Sequence, residues 1–251
     1  MTPEQLTAKL RDVCGPRLRS VVLYGSAVAG DYTEKRSDYN VLVVLDRLEL
    51  PELKMVAGVT AGWIRAGNPA PLLFGRQQLA RSADVFPIEI ADIKSAHRVL
   101  FGDDVVADLP VRVENLRWQL EAELKEKLIA LRERYLLTHG TPRRVTALLI
   151  DSLSALLALF RVALRLYQPD VPARKMDALA ALARHVSFDT RPFETVSRLK
   201  EGARVRGLVP DDLFADYLRA TEQIIDAVDQ LLHGSARVGP NAPARPPATT
   251  A

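Results

Sequence analysis

The chain has 251 residues, enough for one large domain or two small ones with a sizeable core. Apolar residues make up 48% and charged residues 26%, the balance of an ordinary soluble globular protein. The net charge of +3 and the pI near 9.1 hint at an anionic ligand, but with no basic run and no interleaved aromatic platform they do not argue for nucleic acid.

Cys14 is the only cysteine. That excludes an intramolecular disulfide and a cysteine zinc site, and it suits a reducing cytoplasm, the expected location. Cys14 itself reads as a small core residue at a helix end. The N-terminus, MTPEQLTAKLRD, is polar and capped like a helix, so it does not read as a signal peptide. Thr2, Pro3 and Gln5 form a capping box with proline at the first helical position, and Gly15-Pro16 stops the helix.

LRSVVLY then reads as a buried strand ending at Gly25-Ser26, and NVLVVLD as a second strand. The unbroken apolar character of the second predicts a central place in a sheet. Leu53, Val56, Val59 and Trp63 recur at helical spacing before Gly67-Asn68-Pro69. APLLFG predicts a short third strand and RQQLARSA a helical turn. VFPIEIADI predicts a fourth strand, with Pro87 suggesting an edge or early position, and SAHRVLFGDDVV closes the region.

From about residue 111 no further strand-like run occurs. Five stretches carry the 3.6-residue period between Val113 and His233, with short joints marked by proline or glycine, the pattern of an antiparallel bundle. The most apolar of them, ALLIDSLSALLALFRVALRLY, contains Asp151 and Arg161 and predicts a buried helix, with no membrane association. The last stretch, GSARVGPNAPARPPATTA, is rich in proline and alanine without apolar period and predicts disorder. The expected organisation is therefore a domain over 1–108, a helical bundle over 109–233 and a tail over 234–251.

The chemistry concentrates in residues 21–46. A Gly-Ser turn directly after a strand offers backbone N–H groups and one hydroxyl to a phosphate, and Gly25 allows close approach. Residues two apart on a strand share a face, so Asp38 and Asn40 point together. Two oxygen ligands there can hold a hard cation such as Mg²⁺ or Mn²⁺. On the expected fourth strand Ile88 and Ile90 read as core, which turns Glu89 to the other face. Asp38, Asn40 and Glu89 beside a phosphate cradle are the ingredients of metal-assisted nucleotidyl transfer. Lys35 and Arg36, just before Ser37 and Asp38, can neutralise triphosphate charge, a solvated loop being the alternative. With Gly25, Ser26 and Ser37 they complete the candidate nucleotide-binding set.

A strand ending in Gly-Ser, eleven intervening residues and then Asp-x-Asn on a strand resembles the nucleotidyltransferase fold related to DNA polymerase β. The helical second half is similar in architecture to bacterial minimal and aminoglycoside nucleotidyltransferases. The resemblance implies an α+β fold, a mixed sheet with flanking helices followed by an all-α bundle. It implies that Gly25 and Ser26 meet the β- and γ-phosphates of a nucleoside triphosphate, that Asp38 is the first metal ligand and that Glu89 is the third acid. It implies an acceptor, a small molecule or a protein, seated against the bundle.

Asn40 departs from that pattern, which has a second acid there. Its amide oxygen still ligates, but the set then carries two formal negative charges where the family has three, which weakens a second divalent ion most. Two readings stay open on this basis, an atypical transferase and a nucleotide-binding or antitoxin-like regulatory module that no longer transfers. A third is an interaction protein whose bundle forms a homodimer.

Other residues read as structural. Asp92 is a rival third acid, but on a strand it would share the face of Ile88 and Ile90. The four histidines show no ligand spacing. Arg134 and His139 have the Arg-x4-His spacing of HEPN-type ribonucleases, yet they end the first bundle helix, where a cation is favoured anyway. Arg161 and Arg165 either face outward or point towards an anionic ligand. Tyr24 and Tyr39 read as core or rim aromatics.

Overall fold

Thr2 caps the first helix as its sequence demands: its hydroxyl accepts the Gln5 N–H at 3.2 Å while the Gln5 side chain accepts the Thr2 N–H at 3.0 Å. The computed structural model describes residues 1–29, 38–172 and 174–235. Lys35, Arg36 and Ser37, and the tail beyond Ser235, lie outside the described residues. Compactness groups the chain into two units, Met1–Ala122 with Leu164–Ala178, and Glu123–Ala163 with the described part of Leu179–Ala251.

The first unit is built on a four-stranded sheet. Helix α1 (Pro3–Cys14) leads into β1 (Leu18–Tyr24), the short α2 (Ser26–Ala29) and β2 (Asn40–Leu45). Helix α3 (Leu50–Arg65), β3 (Leu72–Gly75), α4 (Arg76–Ser82), α5 (Pro87–Ser95) and β4 (His97–Gly102) follow. The strand order is β3-β2-β1-β4, with β1 antiparallel to both neighbours and β3 parallel to β2, so the sheet is mixed.

The unbroken apolar run of β2 has a simple cause: both faces of the sheet are covered. Val41, Val43 and Leu45, with Val21 and Leu23 of β1, face α1 and α3 and pack with Leu6, Leu10, Val56 and Trp63. Leu42, Val44 and Val22 face the other way, onto Leu79 of α4 and Ile90 and Ile93 of α5. A strand buried on both sides loses its polar alternation. Cys14 is 1% exposed and its thiol is pushed up by burial, which makes it an unreactive core residue.

The region after β3 differs from the sequence expectation. VFPIEIADI is not a strand; it is helix α5, and the fourth strand is HRVLFG, at the edge of the sheet. Pro87 occupies the first helical position, with Glu89 in the first turn and Lys94 in the last. Proline is pre-organised at that position, and the charges match the helix dipole. The buried Ile90 and Ile93 are three apart, a helical spacing.

The remaining helices fall where the 3.6 period puts them: α6 (Val113–Leu136), α7 (Pro142–Arg165), α8 (Lys175–Leu182), α9 (Arg191–Lys200) and α10 (Pro210–Ser235). Helix α10 runs two residues into the stretch expected as a tail. In the second unit Phe160 meets Phe193 edge-on at 5.1 Å, and Tyr217 meets Phe193 at 4.6 Å, an aromatic centre joining α7, α9 and α10. Helix α7 is long and apolar enough to cross a membrane, but 56% of its most apolar stretch is buried, as in a core helix.

Candidate functional site

The end of β1 sets the site. Gly25 follows Tyr24 with φ +83°, in the left-handed region that glycine enters without strain. Its N–H donates to the Ala96 carbonyl at 2.9 Å, and its carbonyl accepts the Val28 N–H at 2.9 Å. This corrects one part of the sequence reading, because the Gly25 N–H is committed to the chain after α5 and is not offered to a phosphate. What Gly25 supplies is space. A β-carbon there would stand 3.3 Å from the Asn40 amide nitrogen.

Asn40 lies opposite Tyr24 in the antiparallel ladder. It has the parity of Leu42 and Val44, so it faces the α5 side of the sheet. Tyr24 packs on that side too. Burial raises the pKa of its hydroxyl, and the negative charge of Glu89 raises it further. Asn40, Tyr24 and Glu89 therefore belong to one side of the sheet. Asp38 precedes β2 by two residues and is exposed. Tyr39 turns the other way, 6.1 Å from Trp63, and its N–H donates to the Asn68 side chain at 3.2 Å. The backbone of Ser26 opens α2.

Glu89 is exposed, on α5. Its Oε2 accepts from Gln119 Nε2 at 3.0 Å, and Gln119 Oε1 accepts the Ile88 N–H at 3.0 Å. One helical step along the same stripe, Asp92 pairs with Arg165 Nη1 at 2.7 Å, and Arg165 Nη2 donates to Ser95 Oγ at 3.2 Å. The Arg165 side chain is only 13% exposed. Asp92 thus neutralises a largely buried guanidinium, whereas Glu89 has a neutral amide as its partner. The open question over Arg165 closes here: an acid of the chain itself occupies it.

Sequence reasoning missed two contributors. Gln119 was invisible because nothing local marks a glutamine on α6 as the neighbour of Glu89. Tyr24 reads from sequence as a core or rim aromatic, although its place directly before the Gly-Ser turn is a signal that raises its weight. The other candidates resolve as structural. His97 Nε2 lies 3.1 Å from Asp104 Oδ2. Arg134 pairs with Asp151 at 3.3 Å, and His139 is exposed at a helix end with φ +51°.

Among the described residues no group of three or more His, Cys, Asp or Glu side chains is placed to hold a metal. The donors of Asp38, Asn40 and Glu89 are all oxygens, two of them carboxylates. That chemistry fits a hard divalent cation and no soft one.

No protein-family model and no curated protein sequence matches the chain. Among solved structures, it is similar to spectinomycin adenyltransferase AAD(9) from Enterococcus faecialis, solved with ATP and spectinomycin. The TM-score is 0.54 at 12% identity, over 88% of this chain and 98% of that one. Two toxin–antitoxin structures also match, one with AMP-PNP and one a mutant of MntA-HpeT. Their identities are 20% and 18%, over 51% and 52% of this chain and 94% and 96% of theirs, at TM-scores of 0.30 and 0.31. The likeness to the adenyltransferase defines the architecture: the chain has an α+β nucleotidyltransferase fold with helices following the mixed sheet.

Proposed function

We propose that the protein transfers a nucleoside monophosphate from a nucleoside triphosphate to a hydroxyl group on a small molecule or a protein. The observation that carries this reading is the placement of Asn40 and Glu89 on one side of the sheet, Asn40 against the close-approach turn at Gly25 and Glu89 near enough to Tyr24 to act on its hydroxyl. The fold shared with a spectinomycin adenyltransferase solved with ATP and spectinomycin adds support. A reducing cytoplasm is the setting we propose, on the single buried cysteine.

In this mechanism the triphosphate lies over the Gly25–Ser26 turn, with Lys35 and Arg36 supplying positive charge. Asp38 and Asn40 would hold a divalent ion, with Glu89 as a third oxygen ligand or as the base, and that ion would offset phosphate charge. As the base, Glu89 would take the proton of the acceptor hydroxyl. The acceptor oxygen forms a bond to the α-phosphorus as the bond to the bridging oxygen breaks, and pyrophosphate leaves. Asn40 in place of a second acid favours one alternative, a module that binds nucleotide and no longer transfers it.

Transfer from α-labelled triphosphates in Mg²⁺ and in Mn²⁺, with cell extract as the source of acceptors, separates the two. We expect label to move to an acceptor and transfer to fall by about a hundredfold or more in Asp38→Ala. Asn40→Asp should lower the divalent-ion concentration needed for half-maximal transfer. Full activity in Asp38→Ala would sink the enzyme reading, and label that moves only in Asn40→Asp would put the binding module in its place.

A further inference from the structure

We infer that Gln119 is a positioning residue for Glu89, a role that rests on the transfer reading above. The geometry fixes the orientation of the Gln119 amide. A backbone N–H can only donate, so the atom 3.0 Å from the Ile88 nitrogen has to be the carbonyl oxygen, Oε1. The amide nitrogen then has to be the atom 3.0 Å from Glu89 Oε2, and it donates there. One side chain from α6 thereby grips α5 twice, once at the backbone of its first turn and once at its carboxylate.

The consequence for Glu89 is specific. An exposed glutamate on a helix samples several rotamers, and a base that collects a proton needs its oxygen held within hydrogen-bond reach of the acceptor. Gln119 removes that freedom. The hydrogen bond it donates is to Oε2, on a residue that is itself exposed. Gln119 holds Glu89 without bringing a positive charge, unlike the arginine that holds Asp92 three residues along the same helix. A guanidinium at Glu89 would compete with a divalent ion for the carboxylate; a neutral amide holds the side chain and leaves its charge available.

Two substitutions separate positioning from simple helix capping. Gln119→Glu keeps an oxygen for the Ile88 N–H but sets a second carboxylate against Glu89. Gln119→Met removes both hydrogen bonds at similar volume. Positioning predicts that kcat falls about tenfold or more in each, with the KM for the triphosphate unchanged and the melting temperature of Gln119→Glu held near that of the natural chain. A purely structural cap predicts natural kcat in Gln119→Glu, which would overturn the inference. The side-chain amide of Gln119 in a ¹H–¹⁵N spectrum gives a reading independent of turnover. Its resonances should shift in Glu89→Ala. An unmoved amide signal overturns the clasp itself. A shifted signal in a protein that transfers nothing locates the failure in the transferase reading, and the positioning role falls with it.

Discussion

Gly25 is constrained in two independent ways. Its φ of +83° is strained for any residue with a β-carbon, and that β-carbon would press on the Asn40 amide at 3.3 Å. Left-handed strain at a non-glycine residue costs roughly 1–2 kcal/mol. We therefore expect Gly25→Ala to lower the unfolding free energy by about that amount, read as a lower urea midpoint with unchanged slope. Because the new methyl group pushes on Asn40, nucleotide-analogue affinity should fall in the same variant. A loss of stability with natural affinity would mean that the turn serves the fold alone. A Gly-Ser turn means little alone; this one was legible because a β-branched strand runs into it and a correctly spaced Asp-x-Asn strand follows. The commitment of the Gly25 N–H to Ala96 was not, since it depends on where the chain returns after α5.

At the scale of elements, α5 shows where local pattern fails. Alternating Ile88, Glu89 and Ile90 fits a strand, and the same residues fit the first turn of a helix whose N1 is Pro87. Length and charge decide: an acid in the first turn and a lysine in the last belong to a helix, and a proline at the start is better explained there than in an edge strand. The conclusion that Glu89 turns away from Ile88 and Ile90 is the same in both geometries, as its exposure shows. The consequence for Asp92 is not. On a strand it would join the isoleucine face; on the helix it lies three residues from Glu89 and meets Arg165. We expect Asp92→Asn to destabilise the protein by about 1 kcal/mol, because it leaves a largely buried guanidinium without its counter-charge while Asp92 itself is 41% exposed and screened. Transfer per folded molecule should stay within about twofold in Asp92→Asn, and fall by about a hundredfold in Glu89→Ala. The reverse order, measured in one assay on the two variants, would make Asp92 the third acid.

For the whole molecule, the helices beyond residue 111 were legible because apolar residues recur at the 3.6-residue period between joints marked by proline or glycine. Both tryptophans, Trp63 and Trp118, lie in the sheet-bearing unit, so tryptophan fluorescence reports on that unit alone. Among the described residues of that unit, three carboxylates have a pKa below the ordinary value. Asp46 is lowered by its hydrogen bond to Arg19, Asp104 by His97 and then by the Val106 and Ala107 N–H groups, and Glu4 by its backbone and then by Arg98. A carboxylate lowered in the folded state contributes stability above its unfolded pKa and loses it as pH falls through the folded one. The urea midpoint read by fluorescence should therefore hold steady from about pH 7 to 5 and fall below about pH 4, where unfolded carboxyls take up protons first. These groups are near the surface, so about 1 M salt should flatten the fall. A midpoint that rises on acidification would reverse the sign and show that these pairs do not favour the folded state.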